Sequence, residues 1–341
     1  MEGRELIPVN VITGFLGSGK TSLLRHLLAA PDFADCAVLI NEFGEVGLDH
    51  RLVERVEGDL VLLQSGCICC TIRGDLSETI RALWGRRERG EVMPFRRLVI
   101  ETTGLADPTP ILATVMSERV ICHHFRLGNV VTTVDAVNSA SQRARQPEWL
   151  KQAAVADRLI VTKTDLAEPA ALDTLQAELH AINPIAPLFL SANAPPAARE
   201  LLAQDIFDPA GKSAEVRRWL AAEQAAGPAH AHRHDVTRHD GGIVSFTVSF
   251  AEPIDWGAFG IWLGMLVAAH GEAVLRVKGI IRVAGAETPV AVHAVQHLVH
   301  APVHLDRWSD DDRLSRLTFI VRDLDPALVR RSLAAFCRLG L

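Results

Sequence analysis

The sequence predicts a doubly wound α/β domain with a mostly parallel sheet, followed by a small α+β domain. Three observations carry this. Over roughly the first 190 residues, short apolar runs without clean polar alternation are separated by segments of helical periodicity, the pattern of parallel strands covered on both faces. Composition then turns rich in Ala, Gly and His over 209–242, as in a linker or loop. Beyond it, strand-like and helical segments resume on a smaller scale. The expected organisation is a first domain over 1–208, a His-rich linker over 209–242 and a second domain over 243–341.

In chain order, PVNVITG (8–14) is strand-like, and KTSLLRHLLAA (20–30) places Leu23, Leu24, Leu27 and Leu28 on one face of a helix. CAVLINE (36–42), RRLVIE (96–101), NVVTTVDA (129–136), DRLIVTKTD (157–165) and APLFLSA (186–192) are further candidate strands. Helical stretches such as LSETIRALW (76–84) and PAALDTLQAELHAI (169–182) lie between them. In the second domain, IVSFTVSF (243–250) alternates as a half-buried strand should. WGAFGIWLGMLVAAHG (256–271) reads as a helix, and VLRVKGIIRVAG (274–285) and RLTFIVRDL (316–324) as strands. The closing helix is opened by Asp325 as N-cap and Pro326 at its first position.

Hydrophobic residues make up 48% of the 341, charged ones 22%, and the net charge is −6 with no long basic run. That balance argues against nucleic acid or an anionic membrane surface as partner. No apolar stretch approaches the ~18 residues that span a bilayer. MEGRELIPVN lacks the basic and apolar regions of a signal peptide. The expectation is a cytoplasmic protein with reduced thiols, in which clustered cysteines point to metal binding or redox chemistry.

GFLGSGKT (14–21) fits G-x-x-x-x-G-K-[ST] between a predicted strand and a predicted helix. Glycines let the backbone curl so that N–H groups face phosphates, and the helix N-terminus adds its positive end. Gly14, Gly17, Ser18, Gly19, Lys20, Thr21 and Ser22 form the expected cradle, with Lys20 on the β/γ-phosphates and Thr21 on Mg²⁺. Further on, VTKTD (161–165) supplies Lys163 and Asp165 in a K-x-D spacing. A carboxylate there accepts from guanine N1–H and its exocyclic amine and repels the adenine N1 acceptor. The usual form is N-K-x-D, and Thr162 stands where Asn is expected. Ser191, at the tip of the next strand, offers a backbone N–H to guanine O6.

GCICC (66–70) places Cys67, Cys69 and Cys70 within four positions. A borderline-soft ion such as Zn²⁺ takes thiolates at about 2.3 Å and prefers four ligands. Three local cysteines leave one position open, which suits exchange with a partner. Redox chemistry is the rival reading, although its usual signal is C-x-x-C. Cys36, Cys122 and Cys337 lie in apolar or helical surroundings and are expected in the core. NEFGEVGLD (41–49) and the cysteines fall between the phosphate loop and ETTG (101–104), an interval that in nucleotide switches carries the loops sensing the γ-phosphate. Glu101 stands where a Walker B acid is expected, and the Gly104 N–H is placed to meet the γ-phosphate. Glu42 and Glu45 are either a fourth metal ligand or solvated loop acids. The water-positioning residue lies among Glu101, Asp107 and these switch acids.

In this order GFLGSGKT, NEFGEVGLD, GCICC, ETTGLADP (101–108) and TKTD (162–165) resemble the CobW family of P-loop GTPases, the zinc-chaperone GTPases. VLRVKGI (274–280), AVQHLVH (294–300) and RLTFIVRDL resemble that family's C-terminal domain, so the resemblance covers nearly the whole chain. It implies a P-loop NTPase domain of the SIMIBI class followed by a small α+β domain. It implies GTP hydrolysis with Mg²⁺, catalysed through Lys20, Thr21 and Glu101, and coupled to delivery of Zn²⁺ held by Cys67, Cys69 and Cys70. Apo-form client metalloproteins are the implied partners, and a homodimer is compatible with it. Two other readings stay open: a GTPase dedicated to one cobalt- or iron-dependent enzyme, of the nitrile hydratase or cobalamin-pathway type, or a non-catalytic metal buffer or sensor.

His230, His232, His234 and His239 fall within ten residues and read either as a solvated loop or as a metal-capturing one. In a strand, His293 and His297 would share a face with His300 on the other, as ordinary core or surface residues.

Overall fold

A computed structural model of the chain describes residues 6–33, 35–40, 53–56, 60–63, 68–71, 75–192, 195–203, 242–308 and 313–340, with 53–56, 60–63 and 68–71 described for the backbone alone. The chain divides into two compact units. One comprises 1–152, 156–175 and 188–203, and the other 153–155, 176–187 and 204–341.

The first unit is built on a nine-stranded sheet in the order β3-β4-β5-β2-β6-β1-β7-β8-β9. Its strands are β1 (Ile7–Gly14), β2 (Cys36–Ile40), β3 (Val53–Val56), β4 (Leu60–Leu63), β5 (Ile68–Thr71), β6 (Arg97–Glu101), β7 (Phe125–Asp135), β8 (Arg158–Thr162) and β9 (Leu188–Ser191). From β5 through β9 every neighbouring pair is parallel, while β3, β4 and β5 pair antiparallel. The helices preceding the second sheet are, in chain order, α1 (Lys20–Ala29), α2 (Leu76–Glu88), α3 (Thr109–Ser117), α4 (Arg119–His124), α5 (Ser139–Arg145), α6 (Pro147–Val155) and α7 (Pro169–Ile182), the ends of α6 and α7 falling in the second unit. Leu23, Leu24, Leu27 and Leu28 of α1 pack with Ile12, Val38, Val99, Val131 and Ile160 from five strands. Each such leucine contributes roughly 1.5–3 kcal/mol of burial, which fixes α1, and so the loop that opens it, against the sheet. Strand order reverses around β1, from which the chain runs outward to β2 in one direction and, after β6, to β7 in the other; ligands of such folds bind beyond the strand ends at a point of this kind.

Ile68–Thr71 is extended backbone paired with β2 and β4, so Cys69 and Cys70 lie in a strand. Two expectations need correction here. β7 begins at Phe125, four residues before the apolar run at Asn129 that announced it. Of the cysteines expected in the core, Cys36 is buried, but Cys122 is exposed on α4 and Cys337 half-buried. The Cys122 thiol donates to the Glu118 carbonyl one turn earlier, which lets it sit on a solvent-facing helix side. Burial, with the nearby charge of Asp255 second, pushes the Cys337 thiol up to about 11.

The second unit holds an antiparallel sheet, β10 (Ile243–Phe250), β15 (Ser315–Arg322), β11 (Val274–Ile281), β12 (Val290–Val295) and β13 (Leu298–Val299) in that order, with β14 (Val303–His304) on β12. Val244, Val248, Phe250, Val277, Ile281, Phe319 and Val321 pack against α8 (Trp256–His270) and α9 (Pro326–Cys337) through Phe259, Trp262, Leu263, Val329 and Leu333. Asp255 and Asp325 cap these helices, accepting from Ala258 N at 2.7 Å and Ala327 N at 2.9 Å. The histidine pattern differs from the strand reading. A turn at Gln296, with φ of +49°, folds the chain back, so that His300 comes against His293 with their rings stacked 4.4 Å apart. His297 instead reaches the Val267 carbonyl of α8.

Candidate nucleotide-binding site

The loop from Gly14 to Thr21 joins the end of β1 to α1. Gly14, Gly17 and Gly19 have φ of +139°, +72° and +93°, a conformation that glycine adopts without the cost a side chain incurs. A Cβ on Gly14 would lie 2.3 Å from the Thr133 carbonyl oxygen, so β7 closes that position to any larger residue. The loop is tied from within. The Ser18 amide donates to the Phe15 carbonyl at 3.1 Å, and the fully buried Ser18 hydroxyl lies 2.7 Å from Thr133 Oγ1. Lys20 Nζ donates to the carbonyls of Gly14 at 2.9 Å and Phe15 at 3.2 Å. Its ammonium therefore curls over the loop it is expected to serve. Ser22 stands exposed on α1.

Thr21 and Glu101 meet. The Thr21 hydroxyl donates to Glu101 Oε1 at 2.9 Å, and Glu101, ending β6, is buried. A hydroxyl beside a buried carboxylate at the start of a phosphate loop is a donor set of hard oxygens, which suits Mg²⁺. The chain after Glu101 is fastened at several points. Thr102 N–H donates to the Ile12 carbonyl at 2.9 Å, and its hydroxyl to Thr13 Oγ1 at 2.8 Å. Gly104 is pressed against the phosphate loop, since a Cβ there would lie 2.6 Å from Leu16 N. From α6, Gln152 Nε2 donates to the carbonyls of Gly104 at 3.2 Å and Ala106 at 3.0 Å. Lys151 Nζ pairs with Asp107 Oδ2 at 2.6 Å. Burial alone would raise the Asp107 carboxyl; hydrogen bonds from Lys151 and from the Thr109 hydroxyl and amide outweigh it and hold the group below the usual carboxylate range. Asp107 is thus engaged as an anchor of this loop.

At the other end, Asp135, Thr162 and Ser191 are register partners across the ends of β7, β8 and β9. Thr162 Oγ1 lies 2.9 Å from the Ser18 carbonyl and 3.2 Å from that of Val134. The hydroxyl that replaces the expected Asn therefore reaches the phosphate loop. Lys163 Nζ donates to Asp135 Oδ2 at 2.6 Å. Burial would raise the Asp135 carboxyl, but donors from Lys163, Asn138 and the Val137 and Asn138 amides keep it below its ordinary value. Asp165 sits exposed in the short turn Thr164–Leu166.

For the thiols the description is of register. Val38 of β2 pairs with Cys69 on one side and Val99 on the other, Leu39 with Cys70 and Ile100, and Ile40 with Thr71 and Glu101. One strand thus separates the cysteine strand from the strand that ends in Glu101, a span of ~10 Å at the usual strand spacing. Cys67, the segment 41–49 with Glu42 and Glu45, and the histidines at 230–239 lie outside the described residues. Among the described residues no group of His, Cys, Asp and Glu is arranged to hold a metal ion, and no helix is long and apolar enough to cross a membrane.

Three residues here were missed by sequence reasoning. Asp135 carried a usable signal, an acid closing an otherwise apolar strand, as Glu101 does. Lys151 and Gln152 carried none, because their role arises from where α6 packs.

The model of the CobW/HypB/UreG nucleotide-binding domain matches residues 8–190, and that of the cobalamin synthesis protein CobW C-terminal domain matches 243–337. The chain is 31% identical over 329 residues to the zinc chaperone YjiA of Escherichia coli K12, covering 96% of this chain and 98% of that protein. It is 30% identical over 364 residues to the zinc chaperone CobW of a Sinorhizobium species, covering 96% and 97%. The crystal structure of Zn(II)-bound YjiA GTPase from E. coli matches with a TM-score of 0.72 at 29% identity, over 97% of this chain and 99% of that one.

Proposed function

This chain belongs to the CobW/HypB/UreG family of P-loop GTPases, and on that premise we propose that it hydrolyses GTP to gate the transfer of Zn²⁺ from Cys67, Cys69 and Cys70 to client apoproteins. The single observation that carries the reading is the register running Thr71–Ile40–Glu101 across β5, β2 and β6. It sets the thiol strand two places from the strand that ends at the proposed Mg²⁺ position, so a change at the γ-phosphate has a short, stiff route to the metal ligands. The names of the relatives, zinc chaperones and a Zn(II)-bound GTPase, favour Zn²⁺ as the cargo.

In this reading Gly14, Gly17, Ser18, Gly19 and Ser22 line the phosphate groove. Lys20 would turn from the carbonyls of Gly14 and Phe15 to phosphate oxygens as GTP enters. Thr21 and Glu101 would hold Mg²⁺, which supplies positive charge against the charge that develops on the transferred phosphoryl group. Gly104, held by Gln152 at its carbonyl, offers its N–H to the γ-phosphate. Lys163 and Asp165 read guanine, Thr162 links that turn to the phosphate loop, and Ser191 supplies a backbone donor. Residues 1–208 would form the GTPase domain, 209–242 a His-rich linker and 243–341 the C-terminal domain. The chain would work in the cytoplasm on apo-form metalloproteins, alone or as a homodimer.

Coupling of this kind amounts to about 1–3 kcal/mol and is reciprocal. The test is GTP hydrolysis by metal-stripped protein with and without stoichiometric Zn²⁺, beside a Cys67/Cys69/Cys70→Ala triple variant. Zinc should alter the rate or GTP affinity only when the thiols are present. An equal effect in both proteins would uncouple the two sites.

A further inference from the structure

Asp135 belongs to none of the motifs above, yet it is the most enclosed acid at the base end of the site. Its side chain is 1% exposed. Lys163 Nζ donates to it at 2.6 Å, Asn138 Nδ2 at 2.9 Å, and the amides of Val137 and Asn138 at 2.9 and 3.2 Å. A buried carboxylate is tolerated only with donors of this kind. Two further facts distinguish it from a satisfied strand end. Lys163 has φ of +57°, in the left-handed region, where a non-glycine residue persists only if its surroundings over-determine it. The Asp135 contact holds that residue from its side chain, and the Leu166 amide holds its carbonyl at 3.1 Å. In addition, the Ala136 amide donates to the Thr162 carbonyl at 3.0 Å, so the chain leaving β8 cannot shift without breaking bonds to the chain leaving β7.

The structure assigns Asp135 as a specificity-positioning residue for guanine nucleotides, acting through Lys163. It keeps the left-handed turn in place, so that Asp165, two residues on, is presented to the base at a fixed position. With the Lys163 ammonium engaged on the carboxylate, the methylene stem is the part of that side chain left for a base face. This inference rests on the guanine-nucleotide reading above and adds to it the residue that sets discrimination rather than phosphate binding.

The experiment is competition of GDP, IDP and ADP against a fluorescent mant-GDP probe on the full chain. Inosine lacks the exocyclic amine, so the GDP-to-IDP affinity ratio reports how well Asp165 is placed. The wild type should prefer GDP. Asp135→Asn should lower the ratio about tenfold, the scale of one charge-assisted hydrogen bond. Asp135→Asn combined with Lys163→Met should lose no more than Lys163→Met alone, because the acid acts through the lysine. An unchanged ratio in Asp135→Asn, or losses that multiply in the double variant, would overturn the assignment. If Asp135→Asn does not fold, Asp135→Ser, smaller and still able to accept from the Val137 amide, is read by the same criterion. A wild type that fails to bind the probe, or that prefers ADP, would overturn the guanine reading itself and this assignment with it.

Discussion

At the phosphate end of the site, the loop from Gly14 to Thr21 is held by its own backbone and by neutral hydroxyls: Ser18 on Thr133, Thr102 on Thr13, Thr21 on Glu101. At the base end, the turn after β8 is held by a charge pair in which the half-exposed Lys163 donates to the buried Asp135. The phosphate loop's cation, Lys20, donates to the Gly14 and Phe15 carbonyls of its own loop. The difference is instructive. In the proposed reading, Lys20 would trade backbone carbonyls for phosphate oxygens, whereas Lys163 would stay on its carboxylate and leave geometry to select the base.

That comparison is broken most strongly at Lys20. Lys20→Ala should lower GTP turnover by about 100-fold or more, the scale of one transition-state charge contact, a larger effect than any on thermal stability. A large stability loss would mean the lysine is structural. Next is Gly14→Ala. Its Cβ would meet the Thr133 oxygen at 2.3 Å in a left-handed backbone, so denaturant unfolding should show a loss of about 3 kcal/mol; a near-neutral result would show that β7 yields at this point. Smaller is Thr162→Val, which removes the hydroxyl reaching the Ser18 carbonyl and should cost about 1 kcal/mol, read as faster release of mant-GDP. Asn at 162, the more usual residue, should restore slow release.

The smallest effect is on pH. Asp107 and Asp135 both have folded-state carboxyls below the ordinary value. A depressed acid contributes stability that is fully present above its unfolded pKa and is lost as pH falls through the folded one. The first unit should therefore hold its stability above about pH 4 and lose it progressively below. Asp107→Asn should flatten that loss slightly, since its pair with Lys151 is only half-buried. An unchanged acid-unfolding profile would show that Lys151 does not favour the charged form.

Much of this site was legible in advance because it depends on local rules. The glycines of 14–19 are there for backbone conformations that follow from sequence spacing, and α1 was visible from its leucine face. The strand from Ile68 to Thr71 was not, because a short Cys-rich run has no period and its pairing with β2 is a long-range event. Lys151 and Gln152 were illegible for the same reason: a Lys-Gln pair on a helix says nothing until the helix is docked beside Gly104. The His293–His300 stack depended on one turn residue, Gln296, taking a left-handed conformation that its type rarely announces.

The most direct test of the central claim, that nucleotide state and thiol strand are coupled, is Zn²⁺ affinity measured by competition with a chromophoric chelator. It would be measured with the protein nucleotide-free, bound to GDP and bound to a non-hydrolysable GTP analogue with Mg²⁺. The account predicts affinities that differ by about tenfold between the GDP and GTP-analogue states, with the difference abolished in the Cys67/Cys69/Cys70→Ala variant. Equal affinities in all three states would contradict it.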